Sequence, residues 1–231
     1  MKDNNIYIAV RFMTFKGFKA RWRAFVGMGS TIRNKLTGKG LIFGKMLGSG
    51  AGKGFSIVPD FGTYAWFVVF DSKTNSSQFF KDDIVYNELR NYSSSIYGWN
   101  AAPIRAHGTW NGIKFFEGVA SEDHEGEVAV LTRASIRRSQ AIRFWMNVPS
   151  ASRNLSDHAG LNFSKGVGEI PLFEQATLSL WNSQKELNDF AYKSRQHAPV
   201  VKKTRDYNWY SEELFLRMRI IDKFGKNLSK K

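Results

Sequence analysis

The chain has 231 residues, 42% hydrophobic and 15% aromatic, enough apolar surface to build a sizeable core without a covalent staple. It contains no cysteine, which excludes disulfides, thiolate-ligated iron, zinc fingers, iron–sulfur clusters and cysteine nucleophiles. Lys and Arg number 34 against 20 Asp and Glu, and the resulting net charge of +14 suits an anionic partner, whether nucleic acid, lipid surface or cofactor.

In chain order, the polar opening Met1-Lys2-Asp3-Asn4-Asn5 lacks the apolar stretch of a signal peptide. The longest clean apolar run, Ala65 to Phe70, falls far short of the ~20 residues of a membrane helix, so a cytoplasmic, non-spanning chain is expected. Ile6 to Phe12, carrying Arg11, reads as extended and is followed by a Trp-bearing stretch of helical character. Gly48-Ser49-Gly50-Ala51-Gly52-Lys53-Gly54 is no phosphate loop: the glycine spacing is one residue short and Gly54 stands where Ser or Thr must follow the lysine. It reads as a flexible hairpin-like loop. Tyr64 to Phe70 is a strand running into the polar cap Asp71-Ser72 and an amphipathic helix. Residues 100–118 read as an insertion in which Trp110-Asn111-Gly112-Ile113 signals a two-residue hairpin.

The second half repeats the first. Glu127 to Arg133 is again extended and again precedes a Trp-bearing helical stretch. Gly160-Leu161-Asn162-Phe163-Ser164-Lys165-Gly166-Val167-Gly168 matches Gly40-Leu41-Ile42-Phe43-Gly44-Lys45-Met46-Leu47-Gly48 at an offset of 120, with five of nine positions identical. Ala176 to Trp181 then leads into Asn182-Ser183 and a helix. Each half reads strand, helix, strand, strand, helix, strand, the order of a ferredoxin-like unit. The expected fold is α+β: two tandem ferredoxin-like repeats, residues 1–122 (with the insertion) and 123–231, forming a pseudo-dimer like the dimeric α/β barrels. The basic concentrations Lys16 to Lys53 and Arg133 to Arg143 lie in segments that look structured, and no nucleic-acid module accompanies them, so nucleic acid is not an expected partner.

Of the four histidines, His107 falls in the insertion, His124 in an acidic loop and His158 in the loop before the second glycine motif, and all three read as surface or loop residues. His197 differs. Ser183-Gln184-Lys185-Glu186 is a capping box, after which Leu187, Phe190, Ser194 and Val201 recur at helical spacing. At 100° per residue His197 lies about 20° from Phe190 and about 40° from Val201, on the inward stripe. Such an imidazole is either a hydrogen-bonded core histidine or a metal ligand, and Pro199 ends or kinks the helix just beyond it. At an offset of 111 the first-half counterpart of His197 is Tyr86, so at most one such ligand is expected per chain.

Several stretches carry a further likeness in collinear order: Lys45 to Gly50 with Gly54-Phe55; Thr132-Arg133-Ala134-Ser135-Ile136-Arg137 leading to Phe144-Trp145 and Val148-Pro149; Gly160 to Glu169; Gln175-Ala176-Thr177 to Trp181; and Trp209-Tyr210-Ser211-Glu212-Glu213-Leu214-Phe215. Over these the chain resembles the spheroidene monooxygenase family. The resemblance implies a haem-dependent monooxygenase acting on a hydrophobic, carotenoid-like substrate, with one non-covalent haem b, molecular oxygen and an unidentified electron donor. It places His197 as the iron ligand. Arg195, Lys202 and Lys165 are then expected to pair with the haem propionates, and Arg133 or Arg11 to face bound oxygen. A peripheral contact with anionic membrane and homo-oligomerisation stay open. The alternatives are a haem enzyme of the same fold acting on nitrogen–oxygen substrates such as aldoximes, and a non-catalytic haem or carotenoid carrier.

Overall fold

The structure is a computed structural model that describes residues 6–52, 56–114, 116, 119, 123–147, 158–193, 204 and 206–225. It is α+β. Strand β1 is Tyr7–Thr14, helix α1 Phe18–Arg33, β2 Leu41–Gly50, β3 Pro59–Phe70, α2 Lys73–Asp82, α3 Ile84–Tyr92 and β4 Ser95–Gly108. After these come β5 (Val128–Ile136), a 3-10 turn (Arg138–Gln140), α4 (141–147), β6 (Leu161–Gly168), β7 (Glu174–Trp181), α5 (Gln184–Lys193) and β8 (Tyr210–Phe224).

Two compact units divide the chain. Unit 1 comprises Met1–Ser49, Asp60–Pro103 and Ile220–Leu228, and unit 2 comprises Gly50–Pro59, Ile104–Arg219 and Ser229–Lys231. Unit 1 carries the strand order β4-β1-β3-β2, and unit 2 the order β8-β5-β7-β6. In unit 1, β1 pairs antiparallel with β3 from Tyr7↔Phe70 to Thr14↔Thr63; in unit 2, β5 pairs antiparallel with β7 from Val128↔Trp181 to Ser135↔Glu174.

Successive strand residues point to opposite faces, and in each unit one face carries the helices. In unit 1 that face presents Tyr7, Ala9 and Met13 of β1 and Tyr64, Trp66, Val68 and Phe70 of β3, packed with Phe79 of α2 and Tyr86 and Leu89 of α3. In unit 2, Val128, Val130 and Trp181 pack with Leu187 and Phe190 of α5.

The helix starts follow local chemistry. Ser72 accepts from the Asn75 amide at 3.3 Å at the head of α2, and Ser183 accepts from the Glu186 amide at 3.2 Å at the head of α5. A single helix is expected after Asp71-Ser72, but the structure has two, because Asp83 accepts from the Tyr86 amide at 2.6 Å and starts α3 afresh. Tyr86 therefore belongs to this second helix.

The Asn-Gly turn forms as a two-residue hairpin: Asn111 and Gly112 both have positive φ, 55° and 73°, and the Trp110 and Ile113 backbones exchange bonds of 3.2 Å. β4, however, runs unbroken to Gly108, so residues 100–108 are strand rather than insertion. The glycine run also begins inside β2, and the Ala51 amide donates to Val58 O at 2.8 Å. No helix among the described residues is long and apolar enough to cross a membrane.

Candidate functional site

The matched registers allow the helix face of unit 2 to be read against that of unit 1, position by position. Tyr7 and Phe70 stand where Val128 and Trp181 stand, which aligns Arg11 with Thr132, Met13 with Ala134, Tyr64 with Gln175, Trp66 with Thr177 and Val68 with Ser179. The glycine motif aligns Met46 with Gly166. The capping serines, each heading a helix of ten residues, align Phe80 with Ala191.

At six of these seven positions, all but that of Tyr64 and Gln175, unit 2 has a small side chain where unit 1 has a larger one, while Ala9 against Val130 and Gly44 against Ser164 run the other way. Unit 1 fills its face with an aromatic stack, Trp66 edge-on to Tyr86 at 5.4 Å and Phe80 against Tyr86 at 4.6 Å. Unit 2 instead presents two adjacent cross-strand rows of small groups, Ser164 beside Ser179 and Gly166 beside Thr177.

Ser179 Oγ accepts from Trp181 Nε1 at 3.0 Å. By contrast Ser164 Oγ and Thr177 Oγ1 are buried and have no hydrogen-bond partner among the described residues. An unmade bond at a buried polar group costs about 1–3 kcal/mol; the Trp66 indole N–H of unit 1 bears that cost once, and the small-residue face of unit 2 bears it twice. Because the chain lacks cysteine, any iron it holds must take a histidine or another non-thiolate ligand.

None of the described histidines offers a lone pair to that face. His158, expected at the surface, is half-buried and edge-on to Trp181 and Phe190 at 5.3 and 5.7 Å. Its Nδ1 accepts from the Gly160 amide at 3.1 Å, leaving the proton of the neutral ring on Nε2. The His107 side chain is 64% exposed and lies 3.9 Å from Glu213. His124 lies beside Gln184, to which its amide donates at 3.3 Å. Among the described residues no three His, Cys, Asp or Glu cluster to hold a metal ion. His197, Arg195 and Lys202 lie outside the described residues.

The other expected site residues do not share this face. Arg11 is on the helix face of unit 1, where it donates to Val10 O and Trp99 O at 3.0 Å and to Asn100 at 2.7 Å. Its guanidinium lies over the rings of Phe80 and Phe224 at 4.7 and 4.3 Å, and burial lowers its pKa to about 10. Lys165 and Arg133 are on the face of the unit 2 sheet away from the helices, Lys165 opposite Leu178 and Arg133 opposite Ala176. Lys165 donates to Gly52 O at 3.3 Å.

Arg133, 2% exposed, is bound by the carboxylates of Glu174 and Glu212 and stacks over Trp110 at 5.4 Å. Glu212 also accepts from Thr109 Oγ1 at 2.6 Å and from the Asn111 and Gly112 amides at 3.0 and 2.7 Å, which fastens the Asn-Gly turn to β8. Burial pushes the Glu212 carboxyl up. The Gly112 amide, then Thr109, Arg133 and the Asn111 amide, outweigh that and hold it at about 2, against 4.5 for an ordinary glutamate.

Since the folded value is depressed, this contribution to stability is complete above pH 4.5 and is lost as pH falls toward 2. Glu212→Gln, which leaves Arg133 half-compensated, should cost about 3–5 kcal/mol at neutral pH, a fall in melting temperature of roughly 10 °C. It should also flatten the acid limb of a melting-temperature series. An unchanged acid limb would refute the electrostatic role of Glu212.

No family model matches the sequence. The spheroidene monooxygenase of Rhodobacter capsulatus is 33% identical over 190 residues, 81% of this chain and 79% of that protein. The chain belongs to the spheroidene monooxygenase family. As a member it is a monooxygenase, an oxidoreductase. The spheroidene monooxygenase of Rubrivivax gelatinosus is 34% identical over 178 residues, 77% of this chain and 68% of that protein. The fold is shared with a solved aldoxime dehydratase, at a TM-score of 0.62 and 10% identity over 95% of this chain and 83% of that one.

Proposed function

We propose that this spheroidene monooxygenase family member is haem-dependent and oxygenates a hydrophobic, carotenoid-like substrate, with the haem b against the helix face of unit 2. The observation that carries the proposal is that face itself: smaller side chains at six aligned positions, and two buried hydroxyls without partners among the described residues. We propose further that the two units are tandem ferredoxin-like repeats meeting near residues 122 and 123. Their strand orders, their matched registers and the bonds from the Asp71 amide to Gly40 O and from the Asn182 amide to Gly160 O, 3.0 and 2.9 Å, support this.

In this proposal His197, which follows α5 in sequence, holds the iron as neutral imidazole, its second nitrogen donating to an acceptor that fixes the ring. Arg195 and Lys202, near it in sequence, take the propionates. Lys165, first expected among them, is on the other face of its sheet, and there it ties down Gly52. Ser164 and Thr177 offer hydroxyl donors to polar atoms brought against them. Arg133 and Arg11, both enclosed by partners, position the fold rather than touch oxygen. A bound haem would supply the iron at which dioxygen is activated with electrons and protons from an external donor. Each turnover would place one oxygen atom in a substrate C–H bond and release the other as water, and two turnovers at one carbon, with loss of water, would give a carbonyl.

The test is turnover. With oxygen, a reductant and an acyclic carotenoid in detergent, the haem-loaded protein should form a carbonyl product that takes up label from 18O-dioxygen. Conversion of aldoximes to nitriles without oxygen, and no labelled carotenoid, would establish the alternative chemistry. Carotenoid bound but unchanged would reduce the protein to a carrier.

A further inference from the structure

Helix α1 is built inside out. Its inward side is small: Ala20, Ala24 and Thr31 are its buried residues. At 100° per residue, Phe18, Trp22, Phe25 and Ile32 all fall within about 40° of one line on the opposite side. These side chains are respectively 83%, 55%, 50% and 51% exposed. The aromatic rings form a continuous ridge, Phe18 to Trp22 at 6.4 Å, Trp22 to Phe25 at 5.9 Å and Phe25 to exposed Phe61 of β3 at 6.1 Å. Packing on unit 1 does not account for the ridge, since the helix docks through its alanines. A contiguous exposed aromatic ridge of this kind marks a contact surface.

The surrounding charge selects the contact. From Asn4 to Pro59 there is no Asp or Glu, and Lys16, Lys19, Arg21, Arg33 and Lys35 are exposed along the helix and its ends. A two-fold contact with a second copy would set this patch against itself, cation facing cation. An anionic lipid surface meets both features: aromatic rings enter the headgroup boundary, while lysine and arginine pair with lipid phosphates. We propose that the α1 ridge with its flanking cations is a membrane-docking surface that seats unit 1 on anionic lipid. The inference is independent of the haem assignment, although it would bring the protein to the phase in which a carotenoid-like substrate dissolves.

The experiment is flotation of the full chain with phosphatidylcholine vesicles, with and without phosphatidylglycerol. The wild type should float with the anionic vesicles and be released by high salt. Replacing Phe18, Trp22 and Phe25 together by Ser should reduce partitioning by at least about tenfold, because the inserted rings are lost. Lys16→Gln with Lys19→Gln and Arg21→Gln should abolish the preference for anionic lipid, again by about tenfold or more. Since these side chains are exposed, melting temperature and haem content should not change; if the triple serine variant does not fold, Trp22→Ser alone is read. The proposal is overturned if wild type stays with the soluble fraction, if the serine variants float like wild type, or if they only turn an oligomer into a monomer in sedimentation.

Discussion

Thr177→Trp should leave the protein folded and weaken its haem binding by on the order of a hundredfold or more, about 2.7 kcal/mol. Thr177 stands where unit 1 carries Trp66, a fully buried indole. Restoring that indole in unit 2 places a large ring over the row formed with Gly166 and removes the unpartnered hydroxyl. In a face already filled by the chain, such an insertion would cost about 1–3 kcal/mol of stability. In a face that accommodates a cofactor, the ring occupies the cofactor's space, and the unliganded protein keeps its melting temperature. The reciprocal change, Trp66→Thr, should cost about 3–5 kcal/mol through the cavity it leaves, and haem affinity of the folded fraction should not move. Hemin titration and thermal melts of the two variants measure both quantities. A Thr177→Trp protein that binds hemin like wild type would show that the face has another purpose.

What could be read from the sequence alone divides along physical lines. The glycine motif landed on β2 and β6, the capping serines on α2 and α5, and the Asn-Gly pair on a tight turn, because each is dictated by residues within a few positions of one another. The two arginines show where such reading stops. Arg11 and Arg133 each lie in an extended segment, yet the matched registers make Arg11 the equivalent of Thr132, one position away from Arg133. With a side-chain period of two, that single step sends them to opposite faces. Glu174 and Glu212 were missed as partners of Arg133 because they are 41 and 79 residues distant in the chain.

The outward ridge of α1 was hidden for another reason. Apolar residues at helical spacing are ordinarily taken as the buried stripe, and only the burial of Ala20 and Ala24 shows which side faces in. For the candidate site, the signal was present but needed the alignment of the two halves to be seen: Gly44-Lys45-Met46 against Ser164-Lys165-Gly166, and Trp66 against Thr177.

The optical spectrum of His197→Ala beside wild type decides whether unit 2 binds one haem through His197. Wild type expressed with a haem precursor should carry one extractable haem per chain and a Soret band. The Ala substitution removes the proposed iron ligand, so tight binding should be lost with the fold retained, and added imidazole should partly restore the band by replacing the missing ring. Substitution of His107, His124 or His158 should leave the wild-type spectrum. A His197→Ala protein with an unaltered Soret band would show that His197 is not the ligand, and a colourless wild type that takes up no hemin would show that the protein does not bind haem.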